Sequence, residues 1–225
     1  MRNEFSARRW WLAGLCCAVY AAMWIGWVQG WNWLVTADTA TLELGRRLGD
    51  QHHGWGTFWH VWCTVFSPVA FRIVTVILIF HAFAKRRVRT AVFLIVCVET
   101  SALLTEVLKR IADRPRPGTA MVDALSTSFP SGHALGTMAA VLALAAVYLP
   151  GVRRSVRPWL VAAGVIVVLT VGVGRVALNV HHPSDVVAGW AMGYVYFVVC
   201  LLILRGVGDG VREADGRPAV LDSGR

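Results

Sequence analysis

The sequence predicts an all-α fold, a polytopic membrane helix bundle of about six transmembrane helices. Three observations predict it. Apolar runs near the ~20 residues needed to cross a bilayer recur along the chain. Charged residues make up only 16% of the 225 residues, against about a quarter in soluble domains, and mean hydropathy is +0.57. The arginines fall mostly in short runs between the apolar stretches, the pattern of cytoplasmic loops in membrane proteins.

The expected spans cover 9–29, 62–84, 90–109, 132–150, 158–177 and 185–205. Arg2, Arg8 and Arg9 precede the first, and its apolar run extends from Trp10 to about Val28. A cleaved leader has an apolar core of about 7–15 residues and a small-residue cleavage site. This run is longer and ends in Trp-rich sequence, so a retained span is expected. The second span contains Ser67-Pro68 and Arg72. Pro68 can kink it or mark its start, and residues 55–62 could lie along the interface instead. The third ends at Lys109. Ser131, a favoured N-cap, stands where the fourth should begin. The fifth ends at Arg175, and Pro183 or Ser184 can open the sixth. Residues 1–206 are thus read as one six-span domain. Residues 207–225, rich in Gly, Asp and Arg, are read as a disordered cytoplasmic tail.

A net charge of +9 invites a nucleic-acid reading, but its distribution argues against one and for a bilayer as the partner. Arg2, Arg8 and Arg9, then Lys85 to Arg89, then Arg153, Arg154 and Arg157, then the Arg-bearing tail all fall on one side of a six-span model. The positive-inside rule makes that side cytoplasmic. Residues 30–61, 110–131 and 178–184 then face the extracytoplasmic side of the cell membrane. The 11 Trp residues crowd span ends and the first long loop, which suits an interfacial belt. Cys16, Cys17, Cys63, Cys97 and Cys200 all sit in apolar runs without a C-x-x-C pair, as buried thiols would.

Three polar clusters interrupt this pattern on the extracytoplasmic side. Lys109 to Pro117 reads KRIADRPRP, Pro130 to His133 reads PSGH, and Arg175 to Asp185 reads RVALNVHHPSD. They supply Lys109, Arg116 and Arg175 as cations, His133 and His181 as imidazoles and Asp185 as a carboxylate. A phosphoryl group in flight spreads charge over its oxygens, and fixed cations and backbone N–H groups stabilise it. Arg offers a planar fork for such oxygens and Lys a point charge. A lone interfacial cation is ordinarily a snorkelling side chain; three beside histidines make a grip. Ser131 and Gly132 open a helix whose N-terminal amides can face an anion. An imidazole at position 133 can protonate a leaving oxygen. Asp185 can fix the tautomer of a nucleophilic histidine. His181-His182-x-x-Asp185 could alternatively hold zinc, although Lys and Arg are poor company for a metal cation.

Taken together these residues resemble the type 2 phosphatidic acid phosphatase superfamily, which includes membrane lipid phosphatases and soluble vanadium haloperoxidases. Lys109 to Pro117 matches its K-x6-R-P signature, Pro130 to His133 matches P-S-G-H, and Arg175, His181 and Asp185 match S-R-x5-H-x3-D in spacing. Gly174 departs from the Ser usual before that Arg. The resemblance implies a phosphohistidine on His181 rather than His182, oriented by Asp185. It implies a proton from His133 to the leaving alkoxide. It implies phosphate held by Lys109, Arg116, Arg175 and the Ser131–Gly132 region, with no metal and no cofactor. The implied substrate is a membrane lipid phosphate or diphosphate such as phosphatidic acid, phosphatidylglycerol phosphate or a polyprenyl diphosphate. The apolar spans argue against the soluble haloperoxidase branch. A membrane phospholipid phosphotransferase or transporter using the same grip is the alternative.

Three further charges lie in apolar runs. Glu106 is expected to pair with Lys109, three residues on. Arg72 can contact a headgroup or pair internally with Glu99 or Glu106. His52, His53, His60 and His81 are expected at interfaces.

Overall fold

The computed structural model describes residues 2–123 and 126–214. Among them nine α-helices form, joined by loops, and no strand. They run α1 Arg2–Val28, α2 Asn32–Gln51, α3 Trp55–Val65, α4 Pro68–Ala84, α5 Val88–Leu94, α6 Ser101–Ala112, α7 Gly132–Tyr148, α8 Arg157–Ala177 and α9 Pro183–Ala214. A π-helical stretch, Ile95–Glu99, joins α5 to α6. Six segments are long and apolar enough to cross a membrane: Ala7–Val28, Trp55–Ala84, Val88–Ala112, Gly132–Gly151, Arg157–Ala177 and Pro183–Leu202. This is a multi-pass membrane protein. The basic stretches at 85–89 and 153–157 close one end of the bundle, and the three polar clusters close the other.

Two regions differ from the sequence expectation. The second span starts at Trp55 rather than near 62 and is broken in the middle. Pro68 cannot donate a backbone hydrogen bond, so the chain restarts there, with Ser67 accepting from Ala70 N to cap α4. Residues 55–62 pack within α3 against α8 rather than along the interface. Trp62 Nε1 donates to Thr170 Oγ1 at 3.0 Å, and Trp55 Nε1 to the Ala177 carbonyl at 3.0 Å. The first long loop is largely α2, whose buried residues Leu34, Asp38 and Gly45 recur at helical spacing along one face. Last, α9 continues to Ala214, into the stretch read as a disordered tail; residues 215–225 lie outside the described residues.

The core is built around α7 and α9. Gly189 and Gly193 sit one turn apart on α9. A Cβ on either would lie 2.7 Å from a backbone oxygen of α7 or its cap, Ser131 O and Leu135 O respectively. Bare backbone is what lets the two helices approach this closely, the small-residue packing common in membranes. The approach brings the start of α7, with Ser131 and His133, beside the start of α9, with Asp185: Ser131 N donates to the Asp185 carbonyl at 2.9 Å.

Candidate active site

The three clusters converge on one cavity of about 390 Å³ at the loop end of the bundle. Lys109, Arg116, Gly132, His133, Arg175 and His181 all line it. Lys109 comes from the last turn of α6 and Arg175 from the last turn of α8; both side chains are buried. Lys109 Nζ is held by Ser126 Oγ at 3.1 Å and by the Thr127 carbonyl. Arg116 sits between Pro115 and Pro117. Its guanidinium donates to the Ser126 and Val180 carbonyls, both at 2.6 Å, and lies 3.3 Å from His181 Nε2. Burial pulls the Arg116 pKa below its ordinary value, and Asp185 opposes the shift. Ser131 stands behind the cavity, fully buried, and caps α7 through Ala134 N.

His181 belongs to the short 178–182 connection between α8 and α9 and is 1% exposed. Its Nε2 faces Arg116, and its Nδ1 lies 3.5 Å from Asp185 Oδ2. Burial lowers the imidazole pKa to about 3, reinforced by Arg175 and Arg116 and opposed by Asp185. His181 is therefore neutral at ordinary pH. With its proton on Nδ1, toward the carboxylate, the Nε2 lone pair points at the cations. Asp185 lies in the first turn of α9, 0% exposed. Oδ2 also accepts from Ser128 Oγ and from His182 N at 2.8 Å, and His182 Nδ1 lies 3.3 Å away. His182 thus shares the carboxylate but does not line the cavity. Among the described residues no group of three His, Cys, Asp or Glu side chains is arranged to hold a metal ion.

Gly174, the departure from the S-R signature, has a local cause. A Cβ there would lie 2.6 Å from Cys63 Sγ and 2.8 Å from the Trp59 ring, so α3 occupies the room a Ser side chain would need.

Two buried residues of this end were not singled out from the sequence. Arg114 follows Asp113, whose left-handed backbone ends α6. Its Nη1 donates to Asp185 Oδ1 at 2.6 Å and Ser184 Oγ at 2.7 Å, and its Nη2 to Asp38 Oδ2 at 2.9 Å. Asp38, from α2, also accepts from Ser184 N at 3.0 Å and Ser184 Oγ at 2.6 Å. His60 and Thr64 of α3, with Asp123 and Ser126, complete the cavity wall. His60 is therefore a cavity residue as well as a surface one.

The charges in the spans resolve differently from expectation. Glu106 pairs with Arg110 at 2.9 Å, not with Lys109, because Lys109 turns inward to the 126–127 loop while Arg110 lies on the surface beside Glu106. Glu99 bonds Thr75 Oγ1, and among the described residues Arg72 makes no ion pair.

Comparison with known proteins adds three findings. A family model described as the PAP2 superfamily matches residues 90–208. The chain is 34% identical over 119 residues to phosphatidylglycerophosphatase B of Bacillus subtilis (strain 168), covering 51% of this chain and 58% of that protein. It is 31% identical over 118 residues to an undecaprenyl-diphosphatase of Sulfolobus acidocaldarius, covering 48% and 52%. The aligned part is thus about half the length of these curated relatives. The fold superposes with a TM-score of 0.70 on the crystal structure of a transmembrane PAP2-type phosphatidylglycerolphosphate phosphatase from Bacillus subtilis. That match has 22% identity and covers 90% of this chain and 96% of the other.

Proposed function

The chain belongs to the PAP2 superfamily, and from that premise we propose that it is an integral membrane phosphatase. It hydrolyses a lipid phosphate or diphosphate through a phosphohistidine on His181, without a metal. One observation carries the reading: a buried, neutral His181 presents Nε2 to a cavity walled by Lys109, Arg116, Arg175 and His133, with Asp185 behind it.

The steps follow from that arrangement. The substrate phosphate enters among Lys109, Arg116 and Arg175, whose charges stabilise the spread negative charge of the transition state. His181 Nε2 attacks phosphorus. As the N–P bond forms the P–O bond to the lipid breaks, and the imidazolium that develops is stabilised by Asp185 at Nδ1. His133, which takes up a proton as the negatively charged phosphate enters beside it, gives that proton to the departing lipid oxygen. Now neutral, it takes a proton from water, which attacks phosphorus, releases phosphate and restores His181. The substrate's tail can stay in the bilayer because the cavity lies at the loop end of the bundle, beside the ends of the spans. The names of the two curated relatives support a phosphatidylglycerol phosphate and a polyprenyl diphosphate as substrates to test, with phosphatidic acid as the third.

The test is phosphate release from that lipid panel by purified protein in detergent. Free phosphate from at least one lipid is expected, with activity retained in excess EDTA. Vanadate should inhibit by imitating five-coordinate phosphorus. A phosphorylated acceptor in place of free phosphate would make the protein a transferase. Loss of activity in chelator, restored by zinc or magnesium, would revive the metal reading of His181, His182 and Asp185. The site is proposed to face the extracytoplasmic side of the cell membrane, from the Lys/Arg asymmetry. An impermeant thiol reagent applied to intact cells should label a cysteine introduced at Gly118 and not one at Arg154; the reverse pattern would invert the topology.

A further inference from the structure

Behind His181 lies a closed set of buried polar groups that the steps above do not use. Arg114 is 5% exposed, Asp38 2%, Ser184 2% and Asp185 0%. Every polar contact within the set is satisfied in one direction. Arg114 donates to both carboxylates and to Ser184 Oγ, and the Ser184 hydroxyl donates in turn to Asp38. The Trp27 ring of α1 closes the guanidinium from one side, 5.5 Å from its centre. The set therefore ties α1, α2, the 113–117 loop and α9 together at one point, and that point is the carboxylate next to His181 Nδ1.

We propose that Asp38 and Arg114 are positioning residues for the phosphoryl transfer: Asp38 holds Arg114, and Arg114 holds Asp185 in the place and charge state that orient His181. The inference rests on the phosphohistidine reading above. Two carboxylates face one guanidinium, so the set carries one net negative charge when all three are ionised. That charge sits on the far side of Nδ1 from the attacked phosphorus, where it stabilises the imidazolium as it forms. Arg114 grips Oδ1 and leaves Oδ2 for the two histidines and Ser128. Without Arg114 the carboxylate can rotate, and two buried carboxylates would face one another, which drives one of them to take up a proton. Without the charge of Asp38, Arg114 neutralises Asp185 instead of sharing itself between two partners. Neither residue touches the substrate cavity.

The experiment is single-turnover kinetics with enzyme in excess over a radiolabelled lipid phosphate, read as the rate constant for forming the acid-labile phosphoenzyme. A purely architectural role would lower the fraction of enzyme that reacts and leave the rate constant alone. Asp38→Asn, nearly the same shape, is expected to lower the rate constant by on the order of 10–100-fold, the range seen when the partner behind a metal-bound histidine is removed. KM should change little. Arg114→Gln should lose at least as much. The double variant Asp38→Asn/Arg114→Gln should be no slower than Arg114→Gln alone, because Asp38→Asn removes one of the unpaired carboxylates that Arg114→Gln creates. Arg114→Lys, which keeps charge without the fork, provides the readout if Arg114→Gln does not fold, and should also be slow. An Asp38→Asn rate constant equal to wild type, or losses that multiply in the double variant, would overturn the proposal. No phosphoenzyme in the wild type would overturn both it and the reading it rests on.

Discussion

The two sides of the 178–185 segment differ in charge and in access. On one side Lys109, Arg116, Arg175 and His133 surround a cavity of about 390 Å³; Asp123 shares its wall, but among the described residues none of the three cations forms an ion pair. On the other side Arg114 is enclosed between Asp38 and Asp185 with no room for a ligand. The first arrangement is costly when empty and is relieved by an anion. The second already holds its own counter-charges, with one negative charge in excess, and gains nothing by binding an anion. Buried charge means a binding site in the first case and a brace in the second; what separates them is whether the counter-charge is supplied by the chain. His181 is the residue common to both, with Nε2 in the cavity and Nδ1 toward the brace.

The largest way to break the comparison is therefore at His181 itself. His181→Ala should reduce activity on every substrate by roughly 10³-fold or more, because no covalent step remains. Rapid quench should then find no phosphoenzyme; a surviving one would move the nucleophile to His182, which touches the same carboxylate. On the brace side, Asp185→Asn should cost on the order of 10³–10⁴-fold by removing the charge that fixes the imidazole tautomer. That loss should be the same for activated and unactivated substrates, since the brace acts on the nucleophile and not on the leaving group. On the cavity side, His133→Ala should show the opposite selectivity. It should lose about 10²–10⁴-fold on a lipid phosphate, whose alkoxide needs a proton, and far less on p-nitrophenyl phosphate, whose phenolate leaves unaided. Equal losses on both substrates would remove His133 from the general-acid role.

The same division explains what the sequence could and could not reveal. The cavity residues sit at helix ends, in short polar clusters that contrast with apolar neighbours, so their chemistry is visible by spacing alone. The brace is not visible in that way. Arg114 and Asp38 are 76 positions apart, and Arg114 and Asp185 71. No local spacing joins residues so distant, and Arg114 is masked within KRIADRPRP by the cations on either side of it. One signal was present: Leu34, Asp38 and Gly45 fall on a single helical face of α2, and a carboxylate on such a face requires a partner. The six spans were legible because apolar length suffices. The break at Phe66–Pro68 was foreshadowed by Pro68. Which of Lys109 and Arg110 Glu106 would choose depends on which side chain turns inward, and that is decided by the 126–127 loop.

The smallest effect sharpens the comparison without touching catalysis. Burial between brace and cavity lowers His181 from the usual 6.5 to about 3 in the folded protein. Between those values the unfolded chain binds a proton that the native chain refuses. Stability contributed by the neutral imidazole is thus fully present above about pH 6.5, declines as pH falls toward 3, and changes no further below that. Thermal unfolding in detergent should show a lower Tm at pH 4.5 than at pH 7 in the wild type. His181→Gln keeps a polar side chain of similar reach and cannot titrate, so it should show a smaller drop over the same interval. The carboxylates titrate in both proteins, so the difference between the two curves isolates the histidine. The sign also separates the two sides of the segment. If the carboxylate of Asp185 dominated the environment of His181, it would raise the imidazole pKa. The wild type would then gain stability on acidification relative to His181→Gln. A larger drop in the wild type means that burial and the cavity cations outweigh the brace.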